Sequence, residues 1–254
     1  MRQRWPERLW IVRHGQSAGN VARDAANAAG LPVIDIALRD VDVPLSELGQ
    51  RQAEALGRWF ASLPEVERPE VVLCSPYARA RQTAKTICEA GGVAASAHEP
   101  VVDERLRERE FGILDRLTTR GIREKHPELA EQRALLGKFY FRPPGGESWA
   151  DVILRLRSAL HTASLHYADR RVLIVCHQVV VLCLRYILEE LDEARILAID
   201  KAGEVINCGI CEYEFVPDDA QLCVPRLHRY NFAAPLIEEA APVTSAPDAM
   251  VAAR

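Results

Sequence analysis

Residues 9–12, 71–74 and 172–176 form three short apolar runs, rich in β-branched side chains and bounded by polar turns. Runs of this kind are strands covered on both faces, because a half-exposed strand would alternate apolar with polar residues. The stretches between them carry apolar residues at helical spacing. Ala53, Leu56 and Phe60 recur within 52–62, with Ser46 placed as an N-cap, and 79–90, 149–167 and 179–191 read as helices in the same way. Strands alternating with helices predict an α/β fold: a three-layer α/β/α sandwich around a mostly parallel sheet.

At 254 residues the chain is long enough for one full core. A single domain over 1–232 is expected, with residues 114–149, charged, helix-prone and broken by Pro127, as a short helical cap over the sheet's mouth. Residues 233–254 are rich in Ala and Pro without a periodic apolar face, and predict an extended or partly disordered C-terminal arm. With 32 Lys and Arg against 36 Asp and Glu, the net charge of −4 gives no global field toward nucleic acid or an anionic membrane. The first eight residues lack an apolar leader core, no run reaches the roughly 20 residues of a membrane span, and seven scattered cysteines suit a reducing compartment, so a cytoplasmic protein is expected. Cys208 and Cys211 have CxxC spacing without a second pair, and are read as structural filler rather than a metal site.

The chemistry-bearing residues stand where these strands end. Arg13, His14, Gly15, Gln16 and Ser17 follow the first run; a strand leading into a glycine turn and then a helix presents free N–H groups to an anion, and Arg13 makes phosphate the natural one. Cys176, His177 and Gln178 repeat the strand-then-histidine pattern. At a third strand end, Ser75-Pro76 opens a helix with Arg79 in its first turn, where the helix dipole disfavours a cation unless an anion lies in front of it.

Together these motifs resemble the histidine phosphatase superfamily, with its phosphoglycerate mutase-like fold. The resemblance runs from Leu9 to Phe215: Arg13-His14-Gly15 with Asn20 downstream, Pro44-Leu45-Ser46-Glu47-Leu48-Gly49 with Gln52-Ala53, the block 75–84, Leu106-Arg107-Glu108 with Phe111-Gly112, and Val175-Cys176-His177, in the family's order. It implies that His14 is a nucleophile forming a phosphohistidine, that Arg13, Asn20, Arg79 and His177 hold the phosphoryl oxygens, and that Glu108 is the acid/base. Glu104 and Glu110 are assigned to the surface. A neutral imidazole attacks without prior deprotonation, and the clamp is built from side chains, so neither metal nor cofactor is expected.

The stretch 139–149 with its Pro-Pro-Gly-Gly-Glu-Ser element, together with His126-Pro127-Glu128 and Gln178, is similar to the fructose-2,6-bisphosphatase domain and to broad-specificity phosphatases. Family mutases carry a longer cap, so hydrolysis of phosphate monoesters is expected here. In that alignment Lys138 and Gln178 fit the sugar-binding pattern, Thr119 and Trp149 stand in place of tyrosines, and Ala134 and Leu182 in place of arginines. Gln16, Ser17, Lys138, Trp149 and Gln178 are the candidate substrate contacts, with Trp149 as an aromatic contact. The expected partner is a small-molecule phosphate ester, with a phosphoprotein as the alternative; a homodimer stays open. A phosphoglycerate mutase-type phosphotransferase and a non-catalytic phosphate-binding module are the competing readings.

Overall fold

The computed structural model describes residues 5–94, 99–217 and 223–245. The three apolar runs become the adjacent strands β1 (Arg8–Arg13), β2 (Val71–Cys74) and, after the two-residue β3 (Val101–Val102), β4 (Arg171–Cys176). Two further strands, β5 (Ile210–Pro217) and β6 (Cys223–Phe232), complete one six-stranded sheet in the order β3-β2-β4-β1-β5-β6. All neighbours from β3 to β1 are parallel; β5 is antiparallel to both β1 and β6, so it alone runs against the rest.

Alternation along the strands divides the core. Leu9 and Ile11 of β1 and Val172 and Ile174 of β4 point to one face, where α6 (Trp149–His166) and α7 (Gln178–Leu188) cover them through Leu156, Leu160 and Val181. Trp10, Val12, Leu173 and Val175 point to the other face. There α2 (Glu47–Ser62) and α3 (Ala78–Glu89) supply Leu56, Phe60, Ala80 and Ile87. This is the expected three-layer α/β/α arrangement. Cys208 and Cys211 fall on opposite faces, one in each core, and their thiols are pushed up by burial, Cys211 to about 11.

Ser46 caps α2, accepting the Gly49 N–H at 3.0 Å. Its own N–H donates to the Gln16 carbonyl at 2.9 Å, so the helix start is tied to the loop after β1. A Cβ on Gly49 would lie 1.9 Å from the Gln16 carbonyl oxygen, so only glycine lets the two backbones approach this closely.

Within residues 114–149 lie α4 (Thr119–Lys125) and α5 (Pro127–Tyr140), with Pro127 at the tolerated first position of α5. Gly137, at φ 78°, interrupts α5, and Leu114, Leu117, Ile122 and Phe141 form a small apolar cluster of their own in this segment. After α7 comes α8 (Glu193–Ala202).

The C-terminal segment corrects one expectation. Residues 234–238 are helical instead of extended: α9 (Ala234–Glu238) buries Pro235 and Leu236 against the α2 face, and Ala241 is also buried, while 241–245 carry no regular structure. A five-residue helix with two inward side chains has too few turns to show a period. Residues 246–254 of the expected arm lie outside the described residues. No helix among the described residues is long and apolar enough to cross a membrane.

Candidate active site

The register of the parallel strands assembles the site. Arg13 lies opposite Cys176 in the β1–β4 pair, and Cys74 opposite Val175 in the β2–β4 pair, so His14, His177 and Ser75 leave the sheet side by side. The His14 N–H donates to the Cys176 carbonyl at 2.9 Å, and the Ser75 N–H to the Val175 carbonyl at 3.1 Å. The two imidazole centroids are 5.1 Å apart, and both rings are buried.

His14 is oriented from both ends. Its Nδ1 donates to the Gly15 carbonyl at 2.7 Å, which leaves Nε2 as the unprotonated nitrogen, 3.2 Å from Arg79 Nε. His177 Nε2 is 2.7 Å from the Ser75 hydroxyl, while its Nδ1 is buried with no partner in the protein. The Tyr77 ring packs against His177, and the Arg79 guanidinium lies over Tyr77.

Burial, reinforced by the charges of Arg79 and Arg13, holds His14 well below the ordinary imidazole range. Burial, then Arg79, His14 and Arg13, does the same to His177. Both rings are therefore neutral near pH 7, the form in which an imidazole is nucleophilic.

A stability consequence follows from the same shifts. The unfolded chain protonates these rings near pH 6.5, whereas the folded chain keeps them neutral to lower pH. Unfolding thus takes up protons below that pH, so this contribution is intact above it and is lost on acidification until the folded rings titrate. The thermal midpoint is expected to fall between pH 7 and pH 5.5. His177→Asn, which cannot take up that proton, should show a shallower fall; parallel slopes in the two proteins would contradict the assignment.

The anion expected in front of Arg79 is, in this structure, a carboxylate. Arg79 donates through Nη1 to the Asp40 carbonyl at 2.7 Å and to Oδ1 at 3.0 Å, and through Nη2 to Oδ2 at 3.2 Å. Asp40 is 44% exposed whereas Arg79 is buried, so the arginine is the fixed partner. Arg13, 1% exposed, donates to the Val205 carbonyl at 2.5 Å and lies close enough to depress the His14 pKa. Glu108 is 4% exposed and follows a 3-10 turn, Glu104–Leu106. Its Oε1 accepts the Arg109 N–H at 2.8 Å, and its charge helps raise the thiol of Cys176, the residue before His177. Glu104 and Glu110 are exposed, as expected, although Glu110 accepts the Tyr77 hydroxyl at 2.9 Å.

The remaining sequence candidates divide. Asn20 is buried, and its Oδ1 accepts from the Ser17 N–H at 3.0 Å and hydroxyl at 3.1 Å, so Nδ2 is the end left to donate. Ser17 itself is the N-cap of α1 (Ala18–Ala28): its hydroxyl is engaged in that capping box instead of being presented to substrate. Gln16 Oε1 accepts from Ser46 at 2.8 Å. Gln178 Oε1 and Trp149 Nε1 are buried without partners. Trp149 is wholly enclosed in the core beside Phe139, with Lys138 Nζ 5.2 Å above its ring. The aromatic contact expected of it is not presented, because the first turn of α6 packs inward. Lys138 pairs with Asp200 at 2.5 Å.

Sequence reasoning missed Thr83, whose hydroxyl accepts the Gly15 N–H at 3.1 Å and lies one helical turn beyond Arg79. That spacing was a readable signal. Asp40, at the start of a 3-10 turn, and Asn207, in a turn and donating to the His14 carbonyl at 2.9 Å, carried none.

Comparison with known proteins agrees with this geometry. The chain is 32% identical over 180 residues to a 6-phosphofructo-2-kinase/fructose-2,6-bisphosphatase of Caenorhabditis elegans, covering 70% of this chain and 33% of that enzyme. It is 31% identical over 166 residues to the phosphoglycerate mutase-like protein AT74H of Arabidopsis thaliana, covering 62% and 53%. This chain thus spans only a third to a half of those relatives. A 2,3-bisphosphoglycerate-dependent phosphoglycerate mutase 2 of Gloeobacter violaceus is 30% identical over 226 residues, 86% of this chain and 91% of that one. Among solved structures, a mycobacterial glucosyl-3-phosphoglycerate phosphatase in complex with inorganic phosphate superposes with a TM-score of 0.65 at 26% identity, covering 90% of this chain and 99% of that one. The profile of the histidine phosphatase superfamily, branch 1, matches residues 9–225, from the first core strand into β6, and the chain belongs to that family.

Proposed function

We propose that the protein hydrolyses phosphate monoesters through a phosphohistidine on His14, without a metal. The observation that carries this reading is the state of His14: buried, held neutral, its Nδ1 tied to Gly15 and its Nε2 facing the Arg79 guanidinium. Nε2 attacks phosphorus and the P–O ester bond breaks, with the phosphoryl oxygens held by Arg13, Arg79, the Asn20 amide and the unpartnered Nδ1 of His177. The Glu108 carboxyl gives its proton to the departing alkoxide; as a carboxylate it then takes one from water, which attacks the phosphohistidine and releases phosphate. Arg79 exchanges Asp40 for the phosphoryl group in the first of these steps.

Purified protein is expected to release phosphate from p-nitrophenyl phosphate, and from members of a panel of small phosphate esters and phosphopeptides, with EDTA present. No release, or release only with added metal, overturns the reading. The extent of the match to the Gloeobacter mutase favours one competing outcome, phosphotransfer between the hydroxyls of phosphoglycerate. Transfer faster than phosphate release would establish that reading instead.

A further inference from the structure

We propose that the Thr244 hydroxyl, in the tail beyond the residues matched to the family, is a positioning group for the nucleophile; this rests on the phosphatase reading of His14. The two peptide planes flanking Gly15 decide how His14 is presented. One contains the His14 carbonyl and the Gly15 N–H; the other contains the Gly15 carbonyl and the Gln16 N–H. The Gly15 carbonyl accepts from His14 Nδ1, so rotation of the second plane would release the contact that leaves Nε2 unprotonated.

Two buried amides hold these planes. Gln52 Oε1 accepts the Gln16 N–H at 2.8 Å, and Asn207 Nδ2 donates to the His14 carbonyl at 2.9 Å. Each amide could turn over, exchanging its donor and acceptor ends. The tail prevents this. Gln52 Nε2 donates to the Pro242 carbonyl at 2.8 Å and to Thr244 Oγ1 at 2.9 Å, so both its hydrogens face the tail and its oxygen faces Gln16.

Having accepted from Gln52, the Thr244 hydroxyl has one hydrogen, which it donates to Asn207 Oδ1 at 3.1 Å. Nδ2 of Asn207 is thereby turned toward His14. The Asn207 N–H also donates to the Thr244 carbonyl at 2.9 Å, which fixes the tail in register. One group that both accepts and donates therefore links the two amides, and through them both planes of the nucleophile's loop, beside the Pro242 carbonyl on Gln52 and the Thr83 hydroxyl on the Gly15 N–H. Gln52 and Asn207 are fully buried and Thr244 is half-buried, so the two amides lie out of solvent, where an unmade hydrogen bond is costly.

The test compares Thr244→Val, which keeps the shape without the hydroxyl, with Thr244→Ser, which restores it. Steady-state rates are read beside hydrogen exchange at the Gln16 amide. The valine variant is expected to lose kcat about tenfold with KM within about twofold, since misplacement of the reacting group affects the chemical step more than binding. Its Gln16 amide should exchange faster, and serine should restore both readouts. Deleting residues 244–254 removes the hydroxyl and the anchoring carbonyl together, and is expected to match or exceed the loss.

Wild-type kcat and wild-type exchange in the valine variant would overturn the proposal, as would a serine variant as impaired as valine. If the wild-type protein itself hydrolyses no ester, the phosphatase reading fails, while exchange at Gln16 still decides whether Thr244 holds the loop.

Discussion

Replacing His14 by alanine is expected to lower phosphate release by a factor on the order of 10³ or more and to abolish covalent labelling by substrate phosphate. The size follows from the lack of a substitute. Among the described residues His177 is the one other imidazole at these strand ends, and its Nε2 is engaged with Ser75. The nearby Asp40 carboxylate is drawn onto Arg79. The thiols of Cys176 and Cys208 are raised by burial and stay protonated. The substitution should also spare the fold. Among the described residues the His14 ring hydrogen-bonds to its own loop and to Arg79, and its backbone contacts to Cys176 and Asn207 survive in alanine. The check is acid-labile, base-stable labelling of the wild-type protein beside a thermal melt of the variant; label that persists in His14→Ala would place the nucleophile elsewhere.

How much of this was legible in the chain depended on how local each signal was. β1, β2 and β4 are central and parallel, buried on both faces, so they read as uninterrupted apolar runs and their boundaries came within a residue. Ser46 and the residues at the strand ends were legible because caps and strand-end cations follow local rules. β6 was not, since an outer strand with Pro225, Arg226, His228 and Arg229 along it shows neither a run nor a clean alternation. Asp40 meets Arg79 across 39 residues of chain, and Asn207 meets His14 across 193, so only the folded sheet brings them together. Trp149 misled because an aromatic residue in a cap motif resembles a ligand contact until the first turn of α6 is seen to face the core.

Glu108→Gln separates the two proton transfers, and is expected to show which leaving groups need them. Glutamine retains an oxygen to accept the Arg109 N–H, and Arg155 Nη2 donates to the backbone carbonyl of residue 108, so the loop should keep its place. What the variant lacks is a carboxyl proton. An alkyl phosphate, whose alkoxide is a poor leaving group, should lose about 10²–10⁴-fold in its first step. A nitrophenolate departs without assistance, so that ester should still phosphorylate His14 at close to the wild-type rate. Its second step is different: water must then attack the phosphohistidine without a base, so phosphoenzyme should accumulate behind a burst of nitrophenol. Glu104→Gln, on the exposed side of the same loop, should leave both substrates unaffected. Equal losses on both esters, with no burst and no accumulated phosphoenzyme, would mean that Glu108 holds the loop rather than the proton. In that case the Asp40 carboxyl, which already lies on Arg79 beside His14, becomes the first candidate for the acid.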